Sequence, residues 1–147
     1  MATIRRTASA AWSGDLRKGN GRVSSASGVL KDVAYSFSTR FENEPGTNPE
    51  ELIAAAHAAC YSMALSALLG NKGFKPERID TQATCVLTRQ ESGGWKITGM
   101  ELSVTGRVPG LDQHAFEALA HEADMTACPV SILLRNGTEI RVEARLA

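Results

Sequence analysis

The sequence predicts an α+β fold. Extended, alternating segments lie on both sides of one long helical segment. That segment opens with clear start signals at Asn48–Glu51. Beyond it the chain runs strand, strand, helix, helix, strand, without the regular strand–helix alternation of a parallel sheet. The chain has 147 residues, the length of one ordinary domain. No Pro-rich stretch, Gly/Ser tract or repeat divides it, so residues 1–147 are read as a single domain.

Residues 2–12 and 20–40 read as short strands, with turn chemistry at Ser13-Gly-Asp15 and Lys18-Gly-Asn-Gly21. In the run Val33–Arg40, the residues Val33, Tyr35, Phe37 and Thr39 alternate onto one face and Arg40 onto the other. A polar loop, Glu42 to Asn48, precedes the long helix. Asn48 can cap it, Pro49 suits the first helical position, and Glu51 completes an N-x-x-E box; Thr47 with Glu50 is an equally good box shifted by one. The helix should run to about Leu69 and stop at Gly70 or Gly73. Residues 79–90 and 95–108 read as paired strands, with Thr81, Ala83, Cys85 and Leu87 on one face. A helix is expected over Asp112 to Met125. Pro129 forces a break, a short helix to Leu134 comes next, Asn136-Gly137 is a turn, and Thr138 to Arg145 is a last strand.

Sixteen basic and sixteen acidic residues give a net charge of zero. Without excess positive charge to release counterions, nucleic acid is not an expected partner. The N-terminus has no apolar core of signal-peptide length. The greasiest stretch, Leu52 to Leu69, is interrupted by His57, Ser62 and Ser66, so no membrane span is expected either. The expected location is the cytoplasm, where thiols stay reduced. Three cysteines there are core thiols, metal ligands or redox groups. They form no C-x-x-C pair and no tight cluster with His57, His114 or His121, so no metal and no cofactor is expected.

The segment Ala54-Ala-Ala-His-Ala-Ala-Cys60 places five alanines in six positions. Small side chains let a second helix approach closely, which predicts a helix seam in a homodimer; high helix propensity is the plainer account. Cys60 lies mid-helix, where a buried cysteine is ordinarily inert packing. Cys128 precedes Pro129 and can be the cap, or the residue before the cap, of the helix after it, whose free N–H groups and positive end favour a thiolate. Cys85 reads as core.

The run Gly46-Thr-Asn-Pro-Glu-Glu-Leu-Ile-Ala-Ala-Ala-His-Ala-Ala-Cys-Tyr-Ser-Met-Ala-Leu65 resembles the signature of the OsmC/Ohr family, the osmotically inducible and organic-hydroperoxide-resistance proteins. Ala127-Cys-Pro-Val-Ser131 resembles its second cysteine motif. Trp12-Ser-Gly-Asp15, Val23-Ser-Ser25 and Ser27-Gly-Val-Leu30 are similar to its N-terminal strands. The resemblance covers essentially the whole chain. It is closer to the OsmC branch, because Phe37-Ser-Thr-Arg-Phe-Glu42 matches the segment that carries that branch's functional arginine.

The resemblance implies an OsmC-like fold, with antiparallel sheets around long central helices in an intertwined homodimer. It implies stress defence by reduction of organic hydroperoxides and hydrogen peroxide, with an external dithiol, of lipoyl type, as reductant. It carries over Cys60 as peroxidatic, Cys128 as resolving, Arg40 as thiolate activator and Glu50 as the arginine's carboxylate partner. Arg22 is the second choice for the activating cation. Cys85 matches no family motif.

The chemistry asks for these groups. A thiolate attacks peroxide, and a buried Cys60 needs a permanent cation to ionise. A guanidinium can also stabilise the leaving alkoxide. Glu50 and Cys60 are about 15 Å apart along one helix, which predicts that Glu50 of one subunit meets Cys60 of the other. Phe37, Phe41, Tyr61, Met63 and Met125 are candidates for an apolar peroxide entrance. Two other functions fit the residues: a Cys/His hydrolase using Cys60 and His57, and a non-catalytic dimeric stress protein that binds an apolar ligand.

Overall fold

The computed structural model describes residues 1–137. The predicted strand Thr138–Arg145 lies outside the described residues. The chain forms two compact units, Met1–Ile53 and Ala54–Ala147. Its architecture is α+β with antiparallel sheets, as the sequence predicts.

In the first unit, β1 (Ala8–Ser13), β2 (Asn20–Ser25) and β3 (Val33–Ser36) form an antiparallel sheet in that order. The register sets Trp12, Gly21 and Tyr35 in one row. The Trp12 and Tyr35 rings pack 5.4 Å apart across the glycine. A Cβ at Gly21 would collide with the Tyr35 ring, so this row needs a residue without a side chain.

Three stretches differ from the predicted strands. Residues 2–7 and 26–32 carry no strand. In the second of these, the Ser25 hydroxyl accepts from the Leu30 N–H at 3.1 Å and closes a loop. The third difference matters for the site. The alternation over Val33–Arg40 stops at Ser36, and α1 (Phe37–Phe41) begins there. Ser36 Oγ accepts from Thr39 N–H at 3.2 Å, and Thr39 Oγ1 accepts from Ser36 N–H at 2.9 Å. This reciprocal capping box overrides the two-residue periodicity. Phe37 and Phe41 then lie one turn apart with centroids at 5.0 Å, and the Arg40 guanidinium lies 5.0 Å from the Phe41 centroid.

The long helix α2 is Pro49–Asn71. Its start is as predicted: Asn48 Oδ1 accepts the Glu51 N–H at 2.8 Å. It ends two residues beyond the expected Leu69. Phe74 N–H returns to the Leu69 carbonyl at 2.9 Å, and Gly73 takes φ 88°, a left-handed conformation that glycine adopts without strain.

In the second unit, β4 (Arg78–Arg89) and β5 (Trp95–Arg107) form an antiparallel hairpin with a bulge at Val86/Leu87. Helix α3 is Gln113–Glu122, capped by Asp112, whose Oδ1 accepts the Ala115 N–H at 2.8 Å. The helix predicted to reach Met125 leaves α geometry at Glu122. It continues as a π-helical turn over Ala123–Ala127, closed by Cys128 N–H to the Ala123 carbonyl at 2.9 Å. Helix α4 is Pro129–Asn136.

The core of this unit is a row on α2. His57, Tyr61, Leu65 and Leu69 recur every four residues and are all buried, the spacing that keeps one face inward. Around Tyr61, Leu65, Leu69, Ala123 and Cys128 pack Ile79, Leu102, Val104, Phe116 and Val130. By length and composition α2 is apolar enough to cross a membrane, contrary to the expectation that its polar interruptions exclude this. Two of those polar groups have protein partners. Ser62 Oγ donates to Thr81 Oγ1 at 2.7 Å and His57 meets Ser131. Leu65→Ala should cost about 2–5 kcal/mol, measured by urea unfolding, because Leu65 is fully enclosed.

Candidate active site

Cys128 sits where the π-helical turn meets α4. Its backbone is extended, and it caps α4 with Pro129 in the first helical position, as predicted. The Ser131 N–H donates to Cys128 Sγ at 3.5 Å. The side chain is fully buried. Burial penalises its thiolate, but hydrogen bonds outweigh that penalty: from the Ser131 hydroxyl and N–H, from the Cys60 thiol and from the Val130 N–H. The net effect holds Cys128 below the ordinary thiol range, through hydrogen bonds to the charged form.

Cys60, half-buried on α2, faces the same sulfur, and both thiols are reduced. Burial pushes Cys60 up, the Val130 N–H partly offsets this, and Cys128 raises it further. The helical geometry thus brings Cys60 and Cys128 together, and a charge on one disfavours a charge on the other. Cys60 is the more accessible sulfur and Cys128 the more readily ionised one.

Two further residues lie beside this pair: His57, which the sequence offers only for the hydrolase alternative, and Ser131, which it does not single out. His57 is one turn before Cys60 and only 3% exposed. Its Nε2 lies 2.8 Å from the Oγ of Ser131, the residue whose N–H donates to Cys128 Sγ. His57 Nδ1 is buried without a hydrogen-bond partner. Burial lowers the His57 pKa. Asp124 opposes that shift and Arg135 adds to it, while those two residues pair with each other at 2.6 Å. The available signal was the spacing: a cap at 128 makes Ser131 the third helical residue, where a capping partner sits. For His57 the helical spacing to Cys60 was legible, but its contact with Ser131, 74 residues away, was not.

Arg40 and Glu50 pair within the first unit. Arg40 Nε reaches both carboxylate oxygens at 3.2 Å and Nη2 reaches Oε1 at 2.8 Å, a side-on pair that only a guanidinium can make. Glu50 is 8% exposed, and this pair supplies the hydrogen bonds that a buried carboxylate needs. Arg22, on β2, instead donates to the Asp32 carbonyl at 3.2 Å. Cys85 is half-buried on β4 opposite Met100.

The apolar entrance candidates divide. Tyr61 is core, 2% exposed, with its hydroxyl donating to the Ala120 carbonyl at 2.8 Å, which removes it as an entrance residue. Met63 and Met125 are exposed. The second unit also holds a cavity of about 710 Å³ lined by His57, Tyr61, Leu102, Phe116, His121 and Ser131 among others; neither Cys60 nor Cys128 is among its lining residues. Among the described residues, no group of histidine, cysteine and carboxylates is arranged to hold a metal ion.

Comparison with known proteins returns one family. Residues 41–143 match the family model described as OsmC-like protein. The chain is 47% identical to peroxiredoxin OsmC of Escherichia coli (strain K12) over 144 residues, covering 98% of each chain. It is 33% identical to the organic hydroperoxide resistance protein OhrA of Bacillus subtilis (strain 168), covering 84% of this chain and 86% of that one. Among solved structures, an organic hydroperoxide resistance protein OsmC from Legionella pneumophila aligns with a TM-score of 0.68 at 26% identity, covering 92% of this chain and 93% of that one. OhrB of B. subtilis aligns at 0.64, also at 26% identity, covering 89% and 92%.

Two measurements check this geometry. Arg40→Ala should destabilise the protein by about 1–3 kcal/mol in urea unfolding, since it strands a buried acceptor. Arg40→Lys should not fully restore the loss. The lowered His57 pKa makes stability depend on acidity. Below the unfolded value of about 6.5, the unfolded chain binds a proton that the folded chain resists. Stability should therefore fall as pH drops through that window, by at most about 1.4 kcal/mol per pH unit. His57→Gln should remove that part of the slope.

Proposed function

The chain belongs to the OsmC family, and from that premise we propose that it is a thiol-dependent peroxidase that reduces organic hydroperoxides, and hydrogen peroxide, with Cys60 as the attacking sulfur and Cys128 as the resolving one. The observation that carries this is the packing of a half-buried Cys60 against the core cluster that contains the fully buried, helix-capping Cys128. Peroxide can reach the first sulfur and not the second.

The Cys60 thiolate attacks one peroxide oxygen. An S–O bond forms, the O–O bond breaks, and the alkoxide leaves to take up a proton. The sulfur is oxidised by two electrons to a sulfenic acid. Cys128 then forms the S–S bond and water is released. An external dithiol, of lipoyl type, reduces the disulfide and is itself oxidised. Cys60 needs a cation, because the groups that shift it within its own unit leave its thiol raised. Arg40 is that cation in this reading, oriented by Glu50.

The working molecule is a homodimer in which Glu50 and Arg40 of one subunit serve Cys60 and Cys128 of the other. Helix arithmetic supports this, since ten residues of α2 put Glu50 about 15 Å along the axis from Cys60. The exposed face of α2 supports it too: Ala55, Ala56, Ala59, Met63 and Ala67 are uncovered in the single chain. Strand β1 is exposed along its whole length as well. We take the chain as one functional domain acting in the cytoplasm.

Peroxide consumption with a dithiol tests the assignment. Cys60→Ser should abolish turnover. Cys128→Ser should give a long-lived Cys60 sulfenic acid, detected by mass spectrometry after trapping, that overoxidises with excess peroxide. Full turnover by the Cys60 variant would end the proposal. Arg40→Met should slow the peroxide step by about 100-fold or more, the scale of an electrostatic group acting on the transition state.

A further inference from the structure

Two groups hold the Arg40 guanidinium within the first unit, and only one of them is a carboxylate. Glu50 takes an edge: Nε donates to both carboxylate oxygens at 3.2 Å, and Nη2 donates to Oε1 at 2.8 Å. None of these bonds uses Nη1, so pairing with Glu50 leaves part of the five-donor fork unspent. The Phe41 ring takes the face, with Arg40 Cζ 5.0 Å from its centroid, inside the range of a cation–π contact. Adjacent residues on a helix do not ordinarily face each other. Here α1 ends at Phe41 with Glu42 extended, and the two side chains turn onto one another. Phe41 is itself braced. Phe37 packs against it one turn earlier, with centroids 5.0 Å apart, and the Arg17 guanidinium covers Phe37 at 5.1 Å. Asp15 Oδ1 accepts the Arg17 N–H at 2.9 Å, which sets the turn that carries Arg17. The result is a continuous stack, Arg17–Phe37–Phe41–Arg40, that ends on the Glu50 carboxylate. Its backbone is tied to the start of α2: Thr39 Oγ1 donates to the Thr47 carbonyl at 2.9 Å, and Asn48 Nδ2 donates to the Thr39 carbonyl at 3.3 Å.

We propose that Phe41 is a positioning residue for the activating cation: its ring fixes the plane of the Arg40 guanidinium while Glu50 fixes its edge, and Phe37, covered by Arg17, keeps that ring in place. This role rests on the peroxidase reading above, in which Arg40 serves Cys60. A side-on carboxylate pair alone lets the two joined side chains swing together, because both are long and the Arg40 side chain is 36% exposed. A second constraint, on the face, removes that freedom, and orientation of a catalytic group contributes directly to rate. The role differs from the apolar entrance that the sequence suggests for Phe37 and Phe41. An entrance asks for apolar faces turned to the substrate, whereas each of these rings carries a guanidinium. The charged groups on the stack are Glu50, from α2, and Arg17, from the turn between β1 and β2; the titratable neighbour of Cys60 within its own unit is Cys128. Phenylalanine has no titratable group, so a changed pH dependence in a Phe41 variant must act through another residue.

Alkylation of Cys60 by iodoacetamide, followed by peptide mass spectrometry across pH, reads thiolate formation without any peroxide. Phe41→Leu should slow alkylation near neutral pH about two- to fivefold and move its midpoint up by about 0.4–0.7 pH unit, the worth of one cation–π contact at a partly exposed site. Phe41→Tyr keeps an aromatic face and should keep the unaltered midpoint. Arg40→Met should raise the midpoint on its own, and adding Phe41→Leu to it should change nothing further, since no guanidinium is left to place. A ring that only walls the entrance would slow consumption of tert-butyl hydroperoxide and leave the alkylation midpoint where it was. That result overturns the inference, as does a Phe41→Tyr variant shifted as far as Phe41→Leu, or an equal Phe41→Leu shift with and without Arg40. If Phe41→Leu does not fold, Phe37→Leu, which removes the ring that braces Phe41, is read instead: a shift in the same direction supports the role and an unmoved midpoint overturns it. A shift in Arg40→Met without one in Phe41→Leu overturns the inference alone. An unmoved midpoint in Arg40→Met overturns the assignment of Arg40 as activating cation, and the inference with it.

Discussion

The contact between Cys60 and Cys128 constrains everything around it. Two sulfurs in contact share one negative charge easily and resist a second. The surroundings decide where that charge rests. At Cys128 the Ser131 N–H in the first turn of α4 donates to the sulfur, and hydrogen bonding outweighs burial to lower its pKa. At Cys60, mid-helix, the α2 backbone N–H groups are already used within the helix, and burial dominates. The π-helical turn before Cys128 belongs to the same arrangement. An extra residue per turn alters the direction in which the chain leaves α3, and its closing bond comes from the Cys128 N–H itself.

The second unit is organised to keep that contact in register. Tyr61, Leu65 and Leu69 anchor α2 through a four-residue row, and Cys128 is part of the same core. A close-packed interior transmits small shifts, so a core change felt by Tyr61 is felt by the neighbouring sulfur. The first unit answers a different need. Its sheet buries little, but α1 and the start of α2 set a guanidinium and a carboxylate in a side-on pair. Such a pair orients the charge of Arg40 as well as neutralising Glu50.

Much of this was legible in the sequence. The start of α2 was written in Asn48, Pro49 and Glu51, because capping is local chemistry. The Cys128 cap was legible for the same reason. The hairpin was legible from period-two alternation. The main miss was also local in cause: Val33 to Thr39 alternate like a strand, yet Ser36 and Thr39 satisfy each other's backbone groups and start a helix. The π-helical turn had no sequence signature apart from the break that Pro129 announces. The roles of Cys60, Arg40 and Glu50 came from family resemblance, since a mid-helix cysteine and a capping-box glutamate have ordinary explanations. His57 was legible only as a helix neighbour of Cys60, because its contact with Ser131 is tertiary.

The two cysteines divide between them properties that a single thiol would have to combine. A nucleophile for peroxide must be reachable and ionised, but exposure and strong hydrogen bonding to the thiolate compete for the same surface of the sulfur. Here Cys60 keeps the access and Cys128 keeps the donors. The cost is that burial outweighs the Val130 N–H at Cys60, and the proposed mechanism therefore assigns its ionisation to a permanent, well-held cation, the clamped Arg40. In the proposed mechanism the gain is that the sulfenic acid forms beside the cysteine whose pKa is lowered, which also favours that sulfur as the leaving group when a reductant attacks Cys60. The direction of both half-reactions then comes from one asymmetry, the capped cysteine against the mid-helix one.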